Sequence, residues 1–402
     1  AASAKASAGS PLLSAERRPA SVEFLVHREP LIAGGAAVDH PPLQSSGLAA
    51  MWPGPRYTVG NMKKAYGIPV DLEASNDTTL QMVWGPGTFG FSEAQLGLHK
   101  ARECPKLNMA KVHFDTENHG SPGGDNFGEG NLDTKMIASF GLNVETIVSN
   151  TNTSASTEEG NGFGQAMLDF VTELATRPRL PHVLSLSLGS LSAASCDLLC
   201  DQAVKAGHSR GECEAFLQQQ RQVCMFLSPA QSARINTAFQ VLGLRGVTVF
   251  GSSGDGGSHF SFSKFTGSSA IVKTLNEIAC KNQLPVSPTD SPYIVSVGGT
   301  MWADGAGKRP VTWKGFGGGS GSGFSLQFSR PSHQMKSVEA YLNGTAGLPP
   351  ASSFNRNGRA YPDFSAVGVD GTSQSCPVAA GIFSLLIDQR LSAGLPPLGF
   401  LA

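Results

Sequence analysis

The chain has 402 residues, room for one large domain with appendages or two ordinary ones, and 40% of it is hydrophobic, enough for a substantial core. Its 30 basic and 31 acidic residues nearly cancel, which leaves no electrostatic case for a nucleic-acid partner or a membrane surface. No apolar run reaches membrane-spanning length, and the Leu12-Leu13 pair is too short, in surroundings too polar, for a signal-peptide core.

Residues 1 to about 56 are rich in Ala, Ser and Pro, with basic spots at Arg17-Arg18 and Arg28. They show no sustained period of 2 or 3.6 and read as a tail or linker. The chain opens on Ala1 rather than Met, as expected of a piece of a longer precursor whose targeting sequence is gone. Patterning starts at Tyr57, where Thr58 is placed to cap a short helix. Val112-His113-Phe114 reads as a strand, and Leu132, Met136, Ile137 and Phe140 mark one face of a helix. Val144 to Val148 reads as a strand, and Phe163, Met167, Phe170, Val171 and Leu174 mark a second amphipathic helix. Val183 to Leu188, Val247 to Phe250 and Tyr293 to Val297 read as buried parallel strands. A small-residue and apolar stretch from Val378 to Ile387 reads as a helix. This alternation predicts an α/β fold with a mainly parallel sheet. Functional groups are then expected at the carboxyl ends of the strands.

Seven cysteines leave at least one without a partner in the chain. Cys196, Cys200, Cys213 and Cys224 lie together. Zinc and disulfides are the two readings of that cluster. Its spacings lack a tight two-residue pair and the nearest histidine is His208, so one or two disulfides bracing a helical hairpin fit better. Sequons at Asn76, Asn152 and Asn343 point to the secretory route.

Three motifs carry candidate chemistry. In Glu129-Gly130-Asn131-Leu132-Asp133, the two carboxylates are four residues apart and share a helix face. They read either as a solvated acidic helix start or as a base, Glu129, held by a second carboxyl, Asp133. A carboxylate base, with an ordinary pKa near 4, suits acidic conditions. Phe250 to Gly257 follows a buried strand and contains Asp255. It reads either as an Asp-Gly turn or as a protonated carboxyl that donates to an oxyanion. Gly371-Thr372-Ser373 precedes the last helix, so Ser373 is either a capping residue or a nucleophile at a helix N-terminus, where free N–H groups hold developing negative charge. His119 is a poorer base, because the small-residue helical continuation that a subtilisin-type histidine uses does not follow it.

The order Glu-x-x-x-Asp, Ser-Gly-Asp and Gly-Thr-Ser-x-Ser-x-Pro resembles the sedolisin family of serine-carboxyl peptidases, closest to its tripeptidyl-peptidase branch. Ser291-Pro292-Tyr293, Val297 to Thr300, Gly321 to Ser325, Arg359 to Asp363 and Gly394 to Phe400 extend the match over about residues 47 to 402. The resemblance implies a subtilisin-like α/β fold, a mainly parallel central sheet flanked by helices, and cleavage of peptides at acidic pH. It implies Ser373 as nucleophile, Glu129 as general base and acid, Asp133 as its partner and Asp255 as the oxyanion carboxyl. Release of tripeptides from free N-termini is the activity expected, with endopeptidase cleavage or a non-catalytic peptide-binding role as alternatives. Expected partners are a peptide or protein substrate and the chain's own propeptide, with residues 1–56 as its remnant and 57–402 as the peptidase domain. The family route leads to a lysosome, an acidic vacuole or secretion.

The sequence departs from the family pattern at four places. Gly256 replaces a serine after Asp255. The connection from Asp363 to Gly371 is about a dozen residues shorter than usual, and a Cys-rich insertion occupies about residues 191–229. The calcium that the family implies is held by residues past the position of Ala402, so no metal ligand is assigned in this chain.

Overall fold

The computed structural model describes residues 57–401, apart from 88, 116–127, 152–161, 221–222, 259–264, 304–308 and 316–317. The tail read over residues 1–56 lies outside the described residues. The first half runs α1 (Val59–Ala65), β1 (Leu80–Pro86), α2 (Glu93–Arg102), β2 (Val112–Phe114), α3 (Gly128–Phe140), β3 (Glu145–Thr151), α4 (Gly162–Leu174) and β4 (Val183–Leu186). Then follow β5 (Ser190–Leu191), α5 (Ala193–Lys205), α6 (Arg210–Gln219), α7 (Pro229–Leu244), β6 (Thr248–Ser252), α8 (Ala270–Lys281), β7 (Val286–Ser287) and β8 (Val295–Trp302). The last part holds β9 (Pro310–Thr312), β10 (Lys314–Gly315), β11 (Gly318–Gly319), β12 (Gly323–Ser329), α9 (Met335–Gly344), β13 (Gly358–Tyr361), β14 (Phe364–Val367) and α10 (Thr372–Ser392). Thr58 caps α1 as expected, its side chain accepting from the Asn61 N–H.

The central sheet has eight strands in the order β14-β8-β6-β4-β1-β3-β2, with β9 antiparallel on β8 and every other pairing parallel. Successive strand residues face opposite layers. In β1, Val83 joins the cluster formed with α3 and α10, while Met82 and Trp84 join the one formed with α4 and α7. The mainly parallel, helix-flanked α/β architecture is therefore present. A sheet buried on both faces needs crossover helices, and these supply them.

Two close approaches position the elements. A Cβ on Gly381 of α10 would lie 2.7 Å from Ile137 O and 2.7 Å from Gly141 N, so α10 packs directly on the backbone at the end of α3. A Cβ on Gly130 would lie 2.0 Å from Gly90 O, which seats the first turn of α3. At its far end α10 carries Asp388, which is 3% exposed. It accepts from Ser75 N (3.0 Å), Asn76 N (2.8 Å) and Thr79 Oγ1 (3.1 Å), anchoring the segment that leads into β1.

The Cys-rich insertion is the expected helical hairpin, α5 and α6. Cys196–Cys224 and Cys200–Cys213 brace it, and the zinc reading of these residues is thereby corrected: none of the four thiols is left to bind metal. Leu199, Ala203 and Leu217 pack on Ile271, Val272 and Leu275 of α8 as a satellite core. Among the described residues Cys104, Cys280 and Cys376 are free.

Two stability effects follow. Gly381→Val is expected to lower stability by about 2–3 kcal/mol, because the helix backbones cannot separate without opening the core. Cys196→Ser is expected to cost about 3 kcal/mol through the freed unfolded chain. Urea unfolding monitored by circular dichroism measures both.

Candidate active site

All four predicted site residues sit at the carboxyl-end rim of the sheet or on the helices that cross above it. Ser373 is the second residue of α10, Glu129 the second of α3, and Asp255 stands three residues beyond β6. The Ser373 hydroxyl lies near enough to the Glu129 carboxyl to oppose the rise in its pKa. Asp133, one turn further along α3, has no exposed surface. The reading of this pair as a solvated acidic helix start is therefore corrected: the helix turns Asp133 into the protein, against the end of β4.

The N-terminus of α10 is built around Asp255. Asp255 Oδ1 accepts from Thr372 N at 2.7 Å and from Thr372 Oγ1 at 2.8 Å, and Gly254 N donates to the same hydroxyl at 3.2 Å. Gly371, the N-cap, has φ +86°, and a Cβ there would lie 2.5 Å from Asp255 Oδ2. Only glycine allows both the left-handed turn and the contact. The short connection from β14 to α10 thus still delivers Ser373 beside Asp255 and Glu129. The replaced serine at Gly256 leaves the Asp255 backbone in place, with Gly319 N donating to Asp255 O at 2.8 Å.

The remaining family motifs form the scaffold beneath this rim. Arg359, 1% exposed, donates to Ser291 O at 3.1 Å and to Ile294 O at 2.8 Å and pairs with Asp363. Asp363 in turn accepts from Ser296 N at 2.7 Å. The stretch Gly321 to Ser325 runs against the loop that carries Asp255, for a Cβ on Gly321 would lie 2.0 Å from Ser253 O.

Burial raises the pKa of every carboxyl at the site. For Glu129, burial pushes it up, the Ser373 hydrogen bond opposes, and the charge of Asp255 adds to the rise. For Asp133, burial dominates, the Glu129 charge adds, and a hydrogen bond from Ser187 opposes, leaving it well above the carboxylate range. For Asp255, burial outweighs the two Thr372 hydrogen bonds. Glu129 Oε1 and Asp133 Oδ2 are buried without a hydrogen-bond partner. Two adjacent carboxyls arranged in this way titrate as a pair and favour one shared proton.

Sequence reasoning missed Ser187 and Thr372. Ser187 donates to Asp133 Oδ1 at 2.9 Å, and its signal was a serine inside an apolar strand, where an unpartnered hydroxyl is costly. Thr372 was visible only as half of a hydroxyl pair. His119 and Asn152 lie outside the described residues. Among the described residues no three His, Cys, Asp or Glu side chains are grouped so as to hold a metal, and no step below uses the implied calcium.

No family model matches the chain. It is 31% identical to tripeptidyl-peptidase 1 of Canis lupus familiaris over 288 residues, covering 68% of this chain and 41% of that protein. The human tripeptidyl-peptidase 1 is 30% identical over the same length and coverage. The chain belongs to the sedolisin family. It spans less than half the length of these curated relatives. The solved sedolisin of Pseudomonas, a serine-carboxyl proteinase, aligns with TM-score 0.50 and 20% identity over 81% of this chain and 79% of that one, a likeness of fold.

The raised carboxyls set the direction of the pH response. A buried acid that keeps its proton in the fold but loses it when unfolded stabilises the fold less as pH rises from the unfolded pKa through the folded one. Asp290, fully buried and hydrogen-bonded by Ser287 and Ser325, is pushed from 3.8 up to about 6, mainly by burial. Between those values it alone accounts for a loss of about 3 kcal/mol. The thermal midpoint of this sedolisin is thus expected to fall from pH 4 to pH 7, and Asp290→Asn to flatten the lower part of that fall. Differential scanning calorimetry across pH reads both effects.

Proposed function

We propose that this chain is an acid-acting serine-carboxyl peptidase that hydrolyses peptide bonds through Ser373, Glu129 and Asp133, releasing tripeptides from free N-termini. The observation that carries the reading is the Ser373 hydroxyl set beside the Glu129 carboxyl, near enough to oppose the rise in its pKa, with Asp133 buried one turn further along α3. Glu129 takes the Ser373 proton as the hydroxyl oxygen attacks the substrate carbonyl, and later returns it to the departing amine. Asp133 orients Glu129 and shares its proton, the role a third group plays in any nucleophile–base–orienter set. Asp255, kept protonated by burial in an acidic medium, donates to the tetrahedral oxyanion together with free N–H groups at the start of α10. Water then cleaves the acyl-enzyme with Glu129 again as base.

The tripeptidyl specificity is supported by the printed names of the relatives, tripeptidyl-peptidase 1, which this chain matches over 41% of their length. Passage through the secretory route to a lysosome, an acidic vacuole or the exterior is supported by the two disulfides and by the exposed sequon Asn343. A propeptide role for residues 1–56 belongs to the same proposal. No described helix is long and apolar enough to cross a membrane.

The test uses the 402-residue chain with a fluorogenic tripeptide amide at about pH 4.5, the amine either free or acetylated. Release from the free-amine substrate alone is expected, and Ser373→Ala and Glu129→Gln are each expected to lower kcat by about 10³-fold or more. Activity surviving either change near the wild-type level sinks the triad. Equal turnover of the acetylated substrate replaces the tripeptidyl reading with endopeptidase action.

A further inference from the structure

Ser187 stands between two acceptors that each need a donor. Its hydroxyl lies 2.9 Å from Asp133 Oδ1 and 3.3 Å from the backbone oxygen of Ser373. That carbonyl has lost its helical partner. In an α-helix the oxygen of residue 373 accepts from the N–H of residue 377, and position 377 of α10 is proline. Asp133, on the other side, is fully buried, and its second oxygen has no hydrogen-bond partner. A hydroxyl carries one proton, so Ser187 can donate to only one of the two at a time. The residue is held where it is: it is 5% exposed, and its own carbonyl accepts the Ser252 hydroxyl at 2.6 Å.

We propose that Ser187 is a positioning residue for the peptidase reaction, a hydroxyl rotor that ties the protonation of Asp133 to the backbone of the nucleophile. The inference rests on the peptidase reading above. With Asp133 ionised, Ser187 donates to Oδ1 and leaves the Ser373 carbonyl without a donor. With a proton on Oδ1, Asp133 donates to the Ser187 oxygen, and Ser187 turns its own proton to the Ser373 carbonyl. Both acceptors are then satisfied. The turn breaks no covalent bond and moves one hydrogen atom, yet it changes how firmly the first turn of α10 is held while Glu129 works. Among the described residues, the titratable groups facing Asp133 are Glu129 on its own helix and Cys376 on α10, and Asp255 faces Glu129 from beyond β6. Cys376 is fully buried, with its thiol pushed up to about 12 by burial, and it does not compete for the proton in acid.

The experiment compares wild type, Ser187→Ala and Ser187→Thr in the 402-residue chain, with Ser187→Cys as a second hydrogen-bond donor should the threonine methyl prevent folding. Two quantities are followed between about pH 3 and 7: the rate at which a fluorophosphonate labels Ser373, and the thermal midpoint. Ser187→Ala is expected to label about 10- to 100-fold more slowly. The acid limb of its rate profile is expected to move up by about one pH unit, since an ionised Asp133 has lost its donor. Its deficit in thermal midpoint grows as pH rises, and the variant that keeps a donor restores the wild-type limb. Labelling by Ser187→Ala that is slower by one factor at every pH overturns the proposal, as does a folded donor-bearing variant that keeps the alanine profile. The two readings fail separately. A wild-type chain that never labels defeats the peptidase reading, and a midpoint deficit constant from pH 4 to 7 defeats the Ser187 rotor with or without catalysis.

Discussion

The contact on which the site depends is backbone against backbone, where Gly381 of α10 meets the end of α3. A helix pair with side chains between its axes sits about 8–10 Å apart, and a bare glycine removes that spacer. Ser373 enters on one of these helices, and Glu129 and Asp133 on the other. Their relative placement is therefore set by packing some two turns away from the chemistry. Gly130 does the same for the opposite end of α3, by resting on the backbone of Gly90. Neither glycine touches a reacting atom. Together they hold a serine and a glutamate side by side.

The second constraint is electrostatic. A neutral-pH enzyme would avoid placing Glu129, Asp133 and Asp255 close together in a dry site, because ionising one raises the cost of ionising the next. Here burial raises the pKa of all three, so the arrangement is easiest to hold at low pH. Asp290 extends the pattern into the scaffold, for it is a fully buried acid with no part in the chemistry whose hydroxyl partners do not offset its burial. A preference for low pH is thus built into the support of the site as well as into its carboxyls.

Much of this was legible in the residues. Phe163, Met167, Phe170, Val171 and Leu174 announce α4 by their spacing, and all five are buried. The strand ends that hold Asp255 and Ser187 followed from reading apolar runs as parallel strands. The central strand β1 was not read. Leu80-Gln81-Met82-Val83-Trp84 is buried on both faces, so it shows no alternation, and Gln81 interrupts the apolar run. That glutamine makes sense only in three dimensions, where its side-chain amide donates to Thr146 Oγ1 at 2.9 Å and to Ile137 O at 3.2 Å. Ile271, Leu275 and Ile278 of α8 carried a helical period that went unused. At the site, the carboxyls and the serine could be named from motifs, and the spacing of Ser373 and Pro377 implies an orphaned carbonyl, but no spacing reveals the group that answers it, which lies just past β4, 186 positions away.

The Asp388 anchor has a consequence for how the chain folds as it is made. Strand β1 lies inside the sheet, and the segment leading into it is tied to a carboxylate in α10, more than 300 residues later. The α4 side of the sheet can be covered while the ribosome is still working, since its strands and helices are nearer in sequence. The α10 side cannot. Until that helix emerges, an apolar sheet face lies open to solvent and to other nascent chains, the long-range closure that slows folding and invites aggregation. The same helix brings Ser373 beside Glu129, so until α10 has emerged these two residues are not assembled.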